Sequence, residues 1–203
     1  MIPPIDHLVV SAPTLEEGMQ WAENALGVTP QPGGVHEGYG THNVLVGLGP
    51  YCYLEIIAKD PKQKEIPHYW IPAHREKSTK LIGWASTHSS LDFLTRTYDN
   101  YLGAHASMQR GKLDGTRIEW EMSYPRFEIY DGLVPFFINW KESIHPGTTL
   151  HTSGQISSFS LKHPDYTGLQ QALTSLGFDI QVEHASQAEI LCTLTVGSQE
   201  IQL

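Results

Sequence analysis

The sequence predicts an α+β fold built from tandem βαβββ units, and three observations carry that expectation. A strand-like run, a helix closed by glycine and further strand-like runs follow one another three times along the chain. The helical segments place apolar residues three and four apart, whereas the flanking runs alternate or are rich in β-branched and aromatic residues. The chain has 203 residues, 40% hydrophobic and 10% aromatic, enough for one compact body or two small modules sharing a core.

The first copy is expected over 1–65. Ile5 to Val10 reads as a strand, and a helix begins at Thr14, where Thr14-Leu15-Glu16-Glu17 forms a capping box. Leu15, Met19, Ala22 and Leu26 share one helix face, and Gly27 is a natural C-terminal cap. A Gly-rich loop through Gly33, Gly34, Gly38 and Gly40 follows, then strands over Asn43 to Leu48 and Tyr51 to Ile57.

The second copy, over 79–145, opens with Leu81 to Ser86. Its helix runs from about Ser90 with Leu91, Leu94, Tyr98 and Leu102 on one face, and ends at Gly103. A strand near Ser107 to Gln109, a turn at Asp114-Gly115, and strands over Thr116 to Tyr124 and Val134 to Trp140 complete it. Gly27 lies 20 residues after His7 and Gly103 lies 19 after Trp84, so the two registers nearly superimpose.

A shorter, partial copy is expected over 154–203: a strand at Ile156 to Leu161, a helix at Tyr166 to Leu176 ended by Gly177, then strands at Phe178 to Val182, Ile190 to Val196 and Glu200 to Leu203. Polar connectors, Lys59 to Lys80 and Lys141 to Ser153, separate the copies. An ordinary α+β domain with coincidentally similar segments is the alternative.

Composition excludes several function classes. The net charge is −9, with 13 basic against 22 acidic residues and no Lys/Arg block, which opposes a nucleic-acid surface. No apolar run approaches the ~20 residues needed to cross a bilayer, and the opening residues lack the features of a secretory signal. A cytoplasmic protein is expected. Cys52 and Cys192 read as small core residues in strand-like runs. No nucleophile elbow, phosphate loop or dinucleotide fingerprint occurs.

The run Ile5-Asp6-His7-Leu8-Val9-Val10, the helix ending in Leu26-Gly27 and Tyr53-Leu54-Glu55-Ile56 resemble one module of the vicinal oxygen chelate superfamily. The stretch Gly33-Gly34-Val35-His36-Glu37-Gly38-Tyr39-Gly40-Thr41-His42-Asn43 is similar to that of its glyoxalase-like domain family. Trp120 and Pro135-Phe136-Phe137-Ile138-Asn139-Trp140 extend the likeness, which covers roughly residues 1–145. The resemblance implies paired modules curled into an open sheet or barrel that encloses one divalent metal ion. It implies lyase, isomerase or dioxygenase-type chemistry on a small oxygen-bearing molecule, and a metal-free binding or sequestering protein is the alternative. The expected partners are a small-molecule ligand and a second copy in a homodimer, without nucleic acid or membrane. The fold predicts a concave site better than a reaction.

Carried over residue by residue, His7 takes the first-strand ligand position and Glu55 the last-strand position, as metal ligands or as a catalytic acid–base pair. Alternation puts Ile5, His7 and Val9 on one face, and Tyr51, Tyr53, Glu55 and Ile57 on one face. A direct His7–Glu55 hydrogen bond is the plainer reading. In the second copy Trp84 stands where His7 does and Asn139 where Glu55 does, and indole cannot ligate a metal. His36, His42 and Asn43 either complete the site or stabilise the Gly-rich loop. Tyr53, Trp84, Trp120 and Phe137, with Trp140, either line an aromatic pocket or belong to the core. The remaining histidines, His145 and His163 among them, read as solvated, and Arg117, Glu119 and Glu121 as an exposed stripe.

Overall fold

The computed structural model describes residues 4–63, 78–111, 117–126 and 128–203. The Asp114-Gly115 turn and the connector histidines His68 and His74 lie outside the described residues. The first unit comprises β1 (His7–Ser11), α1 (Leu15–Leu26), β2 (Gln31–His36), β3 (Thr41–Gly49) and β4 (Cys52–Lys59). The Thr14 hydroxyl accepts the Glu17 N–H at 3.1 Å, and Gly27 ends α1 in the left-handed region at φ 67°. The Gly-rich segment is not a loop throughout: Gln31–His36 is a strand, and only the turn after it is open. Gly33 serves close approach, whereas Gly38 and Gly40 turn the chain at positive φ of 79° and 72°. A Cβ on Gly33 would run into the Asn43 side chain, while the Gly34 N–H donates to Asn43 Oδ1 at 2.8 Å.

The second unit comprises β5 (Lys80–Thr87), α2 (Leu91–Thr97), β6 (Leu102–Gly111), β7 (Arg117–Pro125) and β8 (Phe136–Asn139). Ser90 caps α2, but the helix closes at Tyr98, and Leu102 and Gly103 already belong to β6. Asp99 and Asn100 follow that cap, and such residues compete with the helix for backbone hydrogen bonds. The last unit comprises β9 (Gln155–His163), α3 (Tyr166–Ser175), β10 (Val182–His184), β11 (Glu189–Val196) and β12 (Gln199–Gln202). Phe178 and Ile180, expected on a strand, are buried but precede β10.

The first two units form one eight-stranded sheet in the order β2-β3-β4-β1-β5-β8-β7-β6. In each unit the first and last strands lie parallel, β1 with β4 and β5 with β8, and β1 meets β5 antiparallel at the centre. The edge strands β2 and β6 approach one another, so the sheet curls into a half-barrel. The C-terminal unit keeps the βαβββ element order but laces its sheet differently, as β10-β9-β11-β12. There the first strand lies parallel to the strand after the helix, not to the last one.

Alternation along the strands divides the interior in two. Leu8, Val10, Leu54, Ile56, Trp84 and Phe137 face outward, under α1, α2 and the C-terminal unit. Val9, Ile57, Ala85, Trp120, Met122, Phe136 and Ile138 face the concave side. Trp84 is fully buried between the rings of Phe159 and Phe178, at 5.2 and 5.1 Å, and its Nε1–H donates to the Leu133 carbonyl at 3.0 Å. The C-terminal unit is thereby anchored to the outer face, leaving the concave side to the site.

Candidate functional site

The concave face encloses a cavity lined by His7, His36, Asn43, Tyr53, Glu55, Arg110, Trp120, Met122, Phe136, Ile138 and Trp140. Its free volume is about 30 Å³, room for about two water-sized molecules with every side chain in place. Polar groups come from β1 to β4 and from Arg110; the second half otherwise contributes an apolar wall.

His7 is held from behind. Its Nδ1 lies 2.6 Å from Asp6 Oδ1, and Asp6 Oδ2 accepts from Trp140 Nε1 at 2.9 Å and from His145 Nε2 at 3.0 Å. The Gly147 N–H donates to His145 Nδ1 at 3.0 Å, so the proton of His145 sits on Nε2, facing Asp6. Burial pushes the Asp6 carboxyl up, but hydrogen bonds from His145 and His7 outweigh it and hold the group at about 2. An ionised Asp6 requires Nδ1–H on His7, which leaves Nε2 turned to Glu55 Oε2 at 3.6 Å. The Tyr53 ring stacks on the imidazole at 4.6 Å.

Glu55 is gripped from the other side. Asn43 Nδ2 donates to Glu55 Oε1 at 2.5 Å and lies 3.3 Å from His36 Nε2. The amide orientation follows from its other end, where Oδ1 accepts from Gly34 N–H and from Arg110 at 3.3 Å. His36 Nε2 is therefore the acceptor and its Nδ1–H donates to Thr41 Oγ1 at 2.8 Å. Burial pushes the His36 pKa down to about 4, against the pull of Glu55 and with the push of Arg110, so the ring is neutral near pH 7.

Of the residues singled out in the sequence, His7, His36, Asn43, Tyr53, Glu55, Trp120 and Trp140 are brought together. Four are not. Trp84 and Phe137 point to the outer core, one position out of phase with Ala85, Phe136 and Ile138. A shift of one residue moves a whole strand's side chains to the other face. Asn139 closes a surface turn, donating to the Ser89 carbonyl at 3.0 Å and accepting the Lys141 N–H at 2.9 Å. His42 is out of phase with Asn43 and does not line the cavity. His145 and His163 are corrected as well: both are nearly enclosed, bonded to Asp6 and to Asp131. Asp6, Arg110, Met122, Phe136, Ile138 and His145 were missed as site residues. Arg110 lies one residue beyond the strand expected to end at Gln109, on the face that it shares with Met108.

The glyoxalase-like domain model matches residues 5–177. The chain belongs to the glyoxalase-like domain family. The match runs beyond the paired units and through α3. No curated protein matches the chain in sequence. Among solved structures, a hypothetical protein from Staphylococcus aureus is similar at TM-score 0.69 and 15% identity, over 98% of this chain and 83% of that one. Methylmalonyl-CoA epimerase from Mycobacterium tuberculosis is similar at TM-score 0.47 and 13% identity, over 68% and 91%. The Streptomyces coelicolor epimerase in complex with 2-nitronate-propionyl-CoA is similar at 0.49 and 11%, over 72% and 100%.

The family resemblance implies a divalent metal at this place, and the donor set present does not fit one. Among the described residues no three His, Cys, Asp or Glu side chains are disposed to hold a metal ion. Glu55 Oε1 is already engaged by Asn43, the guanidinium of Arg110 brings a fixed positive charge into the cavity, and β5 and β8 offer only Ala85, Phe136 and Ile138. Catalytic zinc takes three protein ligands, and a resident cation opposes a second one.

Proposed function

We propose that the cavity binds a small oxygen-bearing molecule and that His7 and Glu55 move a proton on it, an isomerase- or lyase-type activity. The observation that carries this reading is the enclosed pair of His7 Nε2 and Glu55 Oε2, 3.6 Å apart, with the far side of the ring fixed by ionised Asp6. In such a step Glu55 takes a proton from a carbon beside a carbonyl, and the electron pair moves onto the carbonyl oxygen. His7 Nε2, whose lone pair faces Glu55, takes that proton over and returns it to carbon or oxygen, with Asp6 as counter-ion of the imidazolium. The enclosed aromatic surround strengthens the attraction between these charges. The wall of Trp120, Phe136 and Trp140 favours the second reading, a binding protein without chemistry.

Proton exchange at carbon separates the two. With pyruvate and its neutral amide as probes in deuterated buffer, loss of the methyl proton signal is followed by NMR. The wild type is expected to speed exchange of at least one probe. Glu55→Gln and His7→Gln should each slow it by about a hundredfold or more. Binding without accelerated exchange in the wild type would leave only the second reading.

A further inference from the structure

Arg110 is the one strongly charged side chain in the cavity that the acid–base reading leaves unused. It is 7% exposed, on the concave face of β6. Among the described residues its guanidinium makes one hydrogen bond, to Asn43 Oδ1 at 3.3 Å, and no ion pair. A guanidinium carries five N–H donors in a planar fork and stays charged at any ordinary pH. Burying such a charge without a counter-ion is costly, and buried charges are normally paired.

Glu55 is the obvious counter-ion, and the local geometry keeps it away. Asn43 stands between the two, accepting from Arg110 through Oδ1 and donating to Glu55 through Nδ2. The amide cannot turn over, because Gly34 N–H holds Oδ1 and the missing Cβ of Gly33 makes room for it there. A direct Arg110–Glu55 pair would neutralise base and cation together. One amide between them preserves a positive end and a basic end facing the same small space. The rest of the wall, Trp120, Met122, Phe136, Ile138 and Trp140, is aromatic or aliphatic apart from the indole N–H groups.

We infer that Arg110 is the receptor for the negative group of the ligand, and that the cavity takes a small monocarboxylate with a compact apolar remainder. The inference rests on the cavity being the ligand site and deepens that reading by naming the substrate class. The fork matches a carboxylate in two parallel hydrogen bonds. The free volume of about 30 Å³ holds about two water-sized molecules, so a carboxylate with a compact remainder enters only as a lining side chain turns aside, which favours the smallest acids. A carboxylate on Arg110 directs its next carbons toward Glu55 and His7, across Asn43. The rival account makes Arg110 a clamp joining β6 to β3 across the curl of the sheet. A clamp needs no anion and does not distinguish an acid from its amide.

The test titrates pyruvate and pyruvamide into the full chain, reading tryptophan fluorescence and the indole N–H shifts of Trp120 and Trp140. Pyruvate is expected to bind and pyruvamide to bind at least about tenfold more weakly. Arg110→Met should lower pyruvate affinity by about tenfold or more and erase the discrimination, and Arg110→Lys should retain part of both. Equal binding of acid and amide to the wild type overturns the inference, as does no binding of pyruvate. So does unchanged pyruvate affinity in a folded Arg110→Met protein. The wild-type comparison stands even where Arg110→Met does not fold. Acid-selective binding without proton exchange would uphold the role of Arg110 and sink the proton-transfer reading; exchange on both probes alike would do the reverse.

Discussion

Replacing Asp6 by Asn tests the electrostatic frame behind His7 most directly. All three partners of Asp6 are donors: His7 Nδ1–H, Trp140 Nε1–H and His145 Nε2–H. Asparagine has one acceptor oxygen, and its amide nitrogen must face a donor somewhere. It cannot face Trp140 and His145, because indole has only a donor and His145 Nδ1 is occupied by the Gly147 N–H. The amide nitrogen must therefore face His7, which responds by moving its proton from Nδ1 to Nε2. That places an N–H against Glu55 and removes the lone pair from the cavity.

The stability effect has two parts. Removing one partner from a buried charged network costs about 3–5 kcal/mol. The second part depends on pH. Asp6 sits at about 2 in the folded chain against an ordinary 3.8, which corresponds to about 2 kcal/mol. Because the folded value is depressed, that stabilisation is present above pH 3.8 and is lost as pH falls toward 2. Urea denaturation of both proteins at pH 5 and pH 2 reads it as a difference. Asp6→Asn is expected to be less stable at pH 5, with the gap narrowing by about 2 kcal/mol at pH 2. Long-range proton–nitrogen NMR of the imidazole reads the tautomer. An unchanged gap between the two pH values, or a His7 ring still protonated on Nδ1 in the variant, refutes the reasoning.

Two further outcomes are expected. His36 is held neutral to about pH 4 against an ordinary 6.5, so the unfolded chain binds its proton first. Stability then falls as pH drops from 6.5 to 4, by up to about 3 kcal/mol. His36→Gln should flatten that part of the pH–stability curve, and a His36 signal that titrates above pH 5 would contradict the assignment. Gly33→Ala should push the Asn43 side chain away from Gly34 and cost about 1–3 kcal/mol. An unchanged melting temperature together with an unshifted Asn43 side-chain amide in NMR would show that β2 gives way instead.

How far the sequence disclosed this site follows from which contacts are local. The first helix was legible at both ends, because a capping box at Thr14 and a glycine at 27 act within one helix turn. Alternation on β1 and β4 aimed His7, Tyr53 and Glu55 inward, since one phase error there would have buried Glu55 among the helices. The second unit was misphased by one residue. Both faces of β5 and β8 are apolar, with Trp84 and Phe137 on one side and Ala85, Phe136 and Ile138 on the other. A strand buried on both faces carries no alternation to read.

Asp6, Arg110 and His145 were hidden for a different reason. Asp6 is a neighbour of His7 in the chain, and alternation assigns neighbours to opposite faces. Its carboxylate instead reaches back to the His7 ring and meets His145, whose position is set by the connector after β8. Arg110 meets Asn43 only because the sheet curls far enough to bring β6 near β2 and β3. The local sequence around 110 reads as a polar strand end on an ordinary edge. Whether its guanidinium faces water or a buried amide is decided by the closure of eight strands, and that closure depends on the summed twist of the sheet. The charge that gives the cavity its sign is thus the feature least visible from the residues around it.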